Sequence, residues 1–383
     1  MPKFSLVLII VVFGNWSSSQ VNGEDAIAGV APFAAAKIIS GNAHERGVMY
    51  GSVFRDQIAD FFKSEILKSF VNRPATREEL LAYGEACGKV IRQECPMIAE
   101  ELAGMADGAG LKLAEIILIH AHEELYHRQP LPMPGHCTAV AIAPAETGDG
   151  STLVGQTWDW MQTVAGKSSI LQWRRGDGPS VLAYGFPGMP FGAGMNEHGI
   201  ALCWTSAALG ETGKSPRVGL PSYVLIAHLL SQPDLASVIR VAKRDRHAGW
   251  FTFVMADSNG NLLNIEGSPS GIAIAQSNDR MLRVGFGSRK MTNVAAPATI
   301  KQHPRCEKRN QFLDGLNGKV TQNMLERAFA DSKYQISVGK STIDIMVFNT
   351  TTRTARVSRG PAYGEAWREF RITTHDSDST TAR

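Results

Sequence analysis

The hydrophobic period of the chain switches from helical to strand-like near residue 130, and that change limits the folds open to it. Before it, apolar residues recur at helical spacing: Val53, Ile58, Phe61, Phe62, Ile66 and Leu67 within Gly47–Phe70. Thr76 and Glu79 form a capping-box pattern that opens a second helix over Thr76–Ile91. Pro96–Ala106 is a third, stopped by Gly108-Ala109-Gly110, and Leu113–His127 a fourth. Pro130, Pro132, Pro134 and Gly135 then form a stiff connector. Beyond it stand short β-type runs at 138–143, 152–157, 169–174, 181–184 and 200–206. Helices follow at 221–231 and 235–242, and strands at 251–256 and 262–266 around Asp257-Ser-Asn-Gly-Asn261. Helices at 305–316 and 322–330 and a last hairpin at 343–349 and 354–358 complete the order. Helices first and antiparallel strands afterwards predict an α+β fold, not an alternating parallel sheet.

Hydrophobic residues make up 44% of the 383 and charged residues 20%, enough for a large core. With 39 basic against 36 acidic residues there is no basic excess for nucleic acid. Residues 1–23 read as a secretory signal: Lys3, the apolar run Leu6–Phe13, and a cut expected before Glu24, with Ser19 as the alternative site. The expected location is therefore secreted or periplasmic. No later run is long enough for a membrane span, and the polar tail from 373 to 383 is expected to be disordered.

Several motif matches fail. His122 and His127 are five apart, so they miss the zinc-protease spacing; with His120 they predict a polar helix face. Asp257–Asn261 has its glycine too early for a calcium loop and reads as a turn. No metal or other cofactor is expected. Asn349-Thr350-Thr351 is a glycosylation sequon. Five cysteines leave one unpaired within the chain, and no pairing is assigned among Cys87, Cys95, Cys203 and Cys306.

The remaining cysteine, Cys137, stands where the helical part meets the first strand, in Pro134-Gly135-His136-Cys137-Thr138. Gly155-Gln156-Thr157-Trp158-Asp159-Trp160 follows. Upstream lie Arg46-Gly47 with Gly51, and Glu101-Leu102 with Gly104, Ala106 and Gly108; downstream lies Gly194-Met195-Asn196-Glu197-His198-Gly199. In this order the segments resemble the acyl-CoA:6-aminopenicillanic acid acyltransferase family, a cysteine branch of the N-terminal-nucleophile (Ntn) hydrolases, over roughly residues 38–370.

The resemblance implies a four-layer αββα sandwich with a mostly helical N-terminal segment. It implies self-cleavage between His136 and Cys137, giving an α chain of 24–136 and a β chain of 137–372 plus tail, held as a heterodimer. Cys137 would be nucleophile and, through its new α-amine, base. An α-amine titrates at ~7.7–8.0, near working pH. Asp159 would hold that ammonium, with Thr138, Gln156 and Trp158 in support. Gln156 stands where related bile-salt and ceramide hydrolases carry Arg, and His136 where many relatives carry Gly. Asn293, in Met291-Thr292-Asn293-Val294, matches the family's oxyanion Asn without its flanking histidines; Asn196 and Asn264 are alternatives. Arg359 fits a late Arg near the thiolate, and Arg356, earlier on the same strand and expected on the same face, is the alternative.

The substrate implied is a small amide or acyl compound: an N-acyl amine, an N-acyl amino acid or a small peptide. CoA thioesters are intracellular, so export favours hydrolysis over acyl transfer. A fold that has lost its chemistry and only binds, and a Cys–His peptidase, are the competing readings.

Overall fold

The computed structural model describes residues 31–71, 75–127, 137–206, 217–269, 271–284, 311, 319–330, 341–360 and 367–373. Its helical part begins with α1 (Ala43–Val53), started by the Asn42–Glu45 capping box, in which each residue's side chain accepts the other's backbone N–H. The single helix expected over Gly47–Phe70 is instead broken. Phe54 leaves helical geometry (φ −111°, ψ 16°), and its ring packs 4.8 Å from that of Tyr50. Beyond it, α2 (Arg55–Phe61) runs through a π-helical turn (Phe62–Leu67) into α3 (Lys68–Phe70). The wider turn lets the neighbours Phe61 and Phe62 both enter the core with Ile66. Next come α4 (Arg77–Glu94), with the expected Thr76–Glu79 box, then α5 (Pro96–Ala109), α6 (Leu113–His120) and α7 (His122–His127). Gly110 at φ 71° ends α5, in the left-handed conformation that glycine adopts without a Cβ clash.

The strands form two sheets. The six-stranded sheet contains β2 (Thr138–Ile142), β3 (Leu153–Asp159), β11 (Arg280–Val284), β12 (Thr342–Asn349), β13 (Thr354–Arg359) and β14 (Arg368–Arg371), in the order β11-β2-β3-β12-β13-β14. The eight-stranded sheet contains β1 (Lys37–Ile39), β4 (Ser169–Trp173), β5 (Val181–Phe186), β6 (Met189–Asn196), β7 (Ala201–Ser206), β8 (Phe251–Ala256), β9 (Leu262–Ser268) and β10 (Gly271–Ser277), in the order β1-β4-β5-β6-β7-β8-β9-β10. Every pairing is antiparallel except β1 with β4.

The sheets lie face to face, with β2 and β3 over β7 and β8. Helix α8 (Ser222–Leu230) covers β6 on the outer face of the larger sheet, beside α9 (Leu235–Arg244). Helix α10 (Gln322–Ala330) covers β12 and β3 on the other side. Alternation along β2 fits this: Val140 and Ile142 join Leu325 and Phe329 of α10, while Ala139 and Ala141 join the main core between the sheets. The order is helix, sheet, sheet, helix, the four layers expected of an α+β Ntn sandwich.

Strand β6 was hidden in the sequence by its glycines. A Cβ on Gly192 would lie 2.8 Å from the Trp158 ring, so the small residue makes room for the indole across the sandwich. Of the helix expected over 305–316, only residue 311 is among those described.

Glycine also sets the α1–α5 crossing. A Cβ on Gly47 would stand 2.1 Å from Glu101 O, on Gly51 2.4 Å from Met105 O, on Gly104 2.0 Å from His44 O, and on Gly108 2.3 Å from Val48 O. Two Gly-x-x-x-Gly faces thus bring the helix backbones into contact. Beside them Arg46 and Glu101 form a buried ion pair at 2.9 Å. Both upstream segments that carried the family resemblance are therefore this one helix contact. Replacing Gly104 by Ala should lower the stability by at least ~3 kcal/mol, the upper end for overpacking, as read from the urea unfolding midpoint. Gly176→Ala, where a Cβ would meet nothing within 4 Å, should leave it unchanged within about 0.5 kcal/mol.

Candidate active site

Cys137 leads into β2 and is buried. The β2–β3 register pairs Thr138 with Thr157, so one step further Cys137 lies across from Trp158. Trp158 in turn pairs with Asp344 of β12, and Asp344 with Arg359 of β13. A row therefore crosses the six-stranded sheet: Cys137, Trp158, Asp344, Arg359.

The sulfur sits against the end of β3. Cys137 Sγ accepts the Asp159 N–H at 3.4 Å, and the thiol lies 3.7 Å from Asp159 O. From the facing sheet, Thr205 Oγ1 donates to Cys137 O at 3.0 Å. The Asp159 carboxylate accepts from Thr342 Oγ1 at 2.6 Å. Burial pushes the Cys137 thiol well above its ordinary range, and the charge of Asp159 pushes it further. In this structure Cys137 thus carries a neutral thiol.

Gln156 is fully buried, two residues before Trp158 on the same face of β3. Its Oε1 accepts the Trp204 N–H at 2.8 Å, joining the two sheets. Trp158 fills the space between them, packed on Trp160, Tyr184, Phe186 and Trp204. Thr138 donates its N–H to Thr157 Oγ1 at 3.1 Å.

The remaining expected residues fall elsewhere. His136 and Asn293 lie outside the described residues. Asn196 shapes the turn after β6: its Oδ1 accepts from His198 N and Ile200 N, and its Nδ2 donates to Leu230 O and Gln232 O. Asn264 lies within β9 and donates to Phe253 O. Arg359 is not beside the thiol. Three strand spacings, about 14 Å, separate it from Cys137 across the sheet. Its guanidinium pairs with Asp344 at 3.4 Å, donates to Ser168 and lies 3.7 Å over the Phe33 ring. Arg356 points the other way, to Glu326 of α10 at 2.9 Å, because residues three apart on a strand face opposite sides.

The polar helix face expected from His120 and His122 is in fact buried, since α6 and α7 pack within the core. His122 sits among Phe61, Phe70, Tyr126 and Trp160, and burial lowers its pKa to about 3. No group of three or more potential metal ligands occurs among the described residues. Asn349 of the sequon is buried and accepts from Thr351 N and Thr352 N, so as folded it serves the turn.

The sequence reading missed Thr205, Thr342 and the acids of α7. Glu123 and Glu124 are both buried. Glu124 Oε1 accepts from Ser222 N and Ser222 Oγ, at 2.8 and 2.6 Å, at the start of α8. The only sequence sign of this was a pair of adjacent acids in that helical run.

Burial raises the Glu124 pKa to about 7, against the opposing Ser222 hydrogen bonds. A carboxyl whose folded pKa exceeds its unfolded one loses stability for the fold as pH rises between the two values. The window here runs from about 4.5 to about 7. Glu124→Gln removes that titration and keeps the acceptor for Ser222. From pH 4.5 to 7.5 the variant should gain on the wild type by on the order of 3 kcal/mol, read from urea midpoints at each pH.

The family profile described as acyl-coenzyme A:6-aminopenicillanic acid acyl-transferase matches residues 145–360. The chain is 25% identical over 342 residues to the 40 kDa form of the acyl-coenzyme A:6-aminopenicillanic-acid acyltransferase of Emericella nidulans, covering 84% of this chain and 91% of that protein. Among solved structures, penicillin V acylase from Agrobacterium tumefaciens matches at 12% identity with a TM-score of 0.39, over 58% of this chain and 82% of its own. A mutant of conjugated bile acid hydrolase from Clostridium perfringens matches at 10% identity with a TM-score of 0.41, over 62% of this chain and 97% of its own.

Proposed function

The chain belongs to the acyl-coenzyme A:6-aminopenicillanic acid acyl-transferase family, and from that premise we propose that it is an exported, self-processing cysteine amidase. Membership makes it an enzyme of amide and acyl-group chemistry. The observation that carries the finer reading is the seat of Cys137: at the start of a central strand, between two sheets, with its sulfur on the backbone of Asp159.

Processing begins with attack of Cys137 Sγ on the carbonyl carbon of His136. The C–N bond to Cys137 breaks, the nitrogen takes the thiol proton, and a thioester links His136 to the sulfur. Water hydrolyses it, leaving a carboxylate on His136, a thiol and a free α-amine on Cys137. The products are an α chain of 24–136 and a β chain from 137, with the catalytic unit ending near 372.

The new amine alters the electrostatics. Before cleavage, among the described residues, the charges that act on the sulfur are those of Asp159 and Glu123, and both disfavour a thiolate. Afterwards Asp159 has an ammonium to pair with, and the amine is a base one residue's reach from the thiol. In turnover the sulfur attacks a substrate amide, the amine leaves with a proton, and water releases the acyl group from the thioester. The Thr342 hydroxyl keeps Asp159 oriented, and Thr205 holds the Cys137 carbonyl.

Contacts already joining the two sides of the cut support a stable heterodimer. Strand β1 pairs with β4, Tyr50 Oη donates to Phe186 O at 2.8 Å, and Glu101 binds Trp173 and Arg175. Among the described residues no helix is long and apolar enough to cross a membrane. The apolar run at 6–13 and the CoA argument favour secretion or export to the periplasm and hydrolysis of a linear amide.

Purified wild type should run as fragments of about 12 and 27 kDa, scaling from 41.5 kDa for 383 residues, with Cys137 as a new N-terminus and Glu24 as the other. Cys137→Ala should stay whole. A single wild-type chain that hydrolyses amides would overturn the processing route.

A further inference from the structure

Strand β7 follows β6 for only two pairs, Gly194 with Leu202 and Met195 with Ala201, and then leaves it. On its other edge it stays with β8 to the end, Trp204 lying opposite Phe253. The Trp204 N–H reaches across the sandwich and donates to Gln156 Oε1 at 2.8 Å. A backbone N–H can only donate, so the carboxamide orientation is settled: Oε1 faces Trp204 and Nε2 faces away. Nε2 is fully buried and has no hydrogen-bond partner among the described residues. A buried donor left unmet keeps its full desolvation penalty, which an acceptor brought by a ligand would relieve.

Its position is what makes it usable. Gln156 lies across from Ala139, and Cys137 across from Trp158, so Gln156 and Cys137 are diagonal neighbours on one face of the β2–β3 pair. Diagonal neighbours stand about 7–8 Å apart, a separation a glutamine side chain can reach across toward an atom bonding to the sulfur. The residue directly opposite Gln156, Ala139, carries only a methyl group.

We infer that Gln156 Nε2 donates a hydrogen bond to the carbonyl oxygen of the acyl group that Cys137 attacks. As sulfur adds, that oxygen takes the electron pair of the C=O bond, and a fixed neutral donor stabilises the charge. The Trp204 clamp holds the carboxamide in place before substrate arrives. The inference rests on Cys137 being the nucleophile.

The probe is 4-nitrophenyl acetate, a small activated acyl donor, with 4-nitrophenol release corrected for Cys137→Ala. No Cys137-dependent release in the wild type would count against the amidase reading itself, independently of Gln156. Two variants then separate donor from clamp. Gln156→Glu keeps an oxygen for Trp204 and removes the N–H; it should lower kcat about 100-fold or more with KM within about threefold. Gln156→Arg keeps N–H donors and loses the acceptor; it should retain kcat within about tenfold. If Gln156→Glu keeps kcat within threefold of wild type, or if both variants lose it equally while remaining folded by circular dichroism, the donor assignment is overturned.

Discussion

The architecture depends on one buried carboxylate. Glu101 Oε1 accepts from Arg46 Nε at 2.9 Å, Trp173 Nε1 at 2.9 Å and Arg175 Nε at 3.2 Å, and its Oε2 accepts from Arg175 at 3.1 Å. These donors come from α1, β4 and the residues just after β4. A buried ion pair adds little net stability when complete, but removing one partner leaves a charge stranded in low dielectric. What the cluster supplies is register. It sets α1 on α5 at the glycine crossing and sets both on the edge of the larger sheet. On the proposed reading it also spans the cut, so the helical segment stays in place once the backbone between 136 and 137 is broken.

The setting of Cys137 is the inverse of the usual one for a reactive thiol. A reactive cysteine needs positive charge or a helix N-terminus beside it. Here burial and Asp159 both hold the proton on sulfur. Such a site is quiet until a cation arrives, and on the proposed reading self-cleavage supplies one on the same residue. The neutral Gln156, in place of a permanent cation, agrees with that sequence of events.

Chemistry was more legible than architecture in some places and less in others. Cys137 and Asp159 stood out because a helix-to-strand junction and a Trp-Asp strand end are local features, and the structure brings them together. The Arg46-Gly47 and Glu101–Gly108 segments, which carried the family resemblance, build a helix crossing: they contact each other, 55 residues apart. Arg359 lay on the right strand by position, yet the partner that claims it, Asp344, is identified only by β12–β13 pairing. His120 and His122 read as exposed because polarity along a helix implies solvent unless a second layer covers it.

By itself the sequence determined most of the element types, the antiparallel character of the sheets and the capped start of α4, and it singled out Cys137. Those depend on neighbours within one or two turns or one strand. Tertiary structure alone decided which acids are buried beside the sulfur, which way the Gln156 amide faces and where β6 runs. Each of these depends on groups far apart in the chain, such as Gln156 with Trp204, separated by 48 residues, and Thr342 with Asp159, separated by 183. Hydrophobic period reports only that a side chain is inside; which partner it meets there is set by how the two sheets stack.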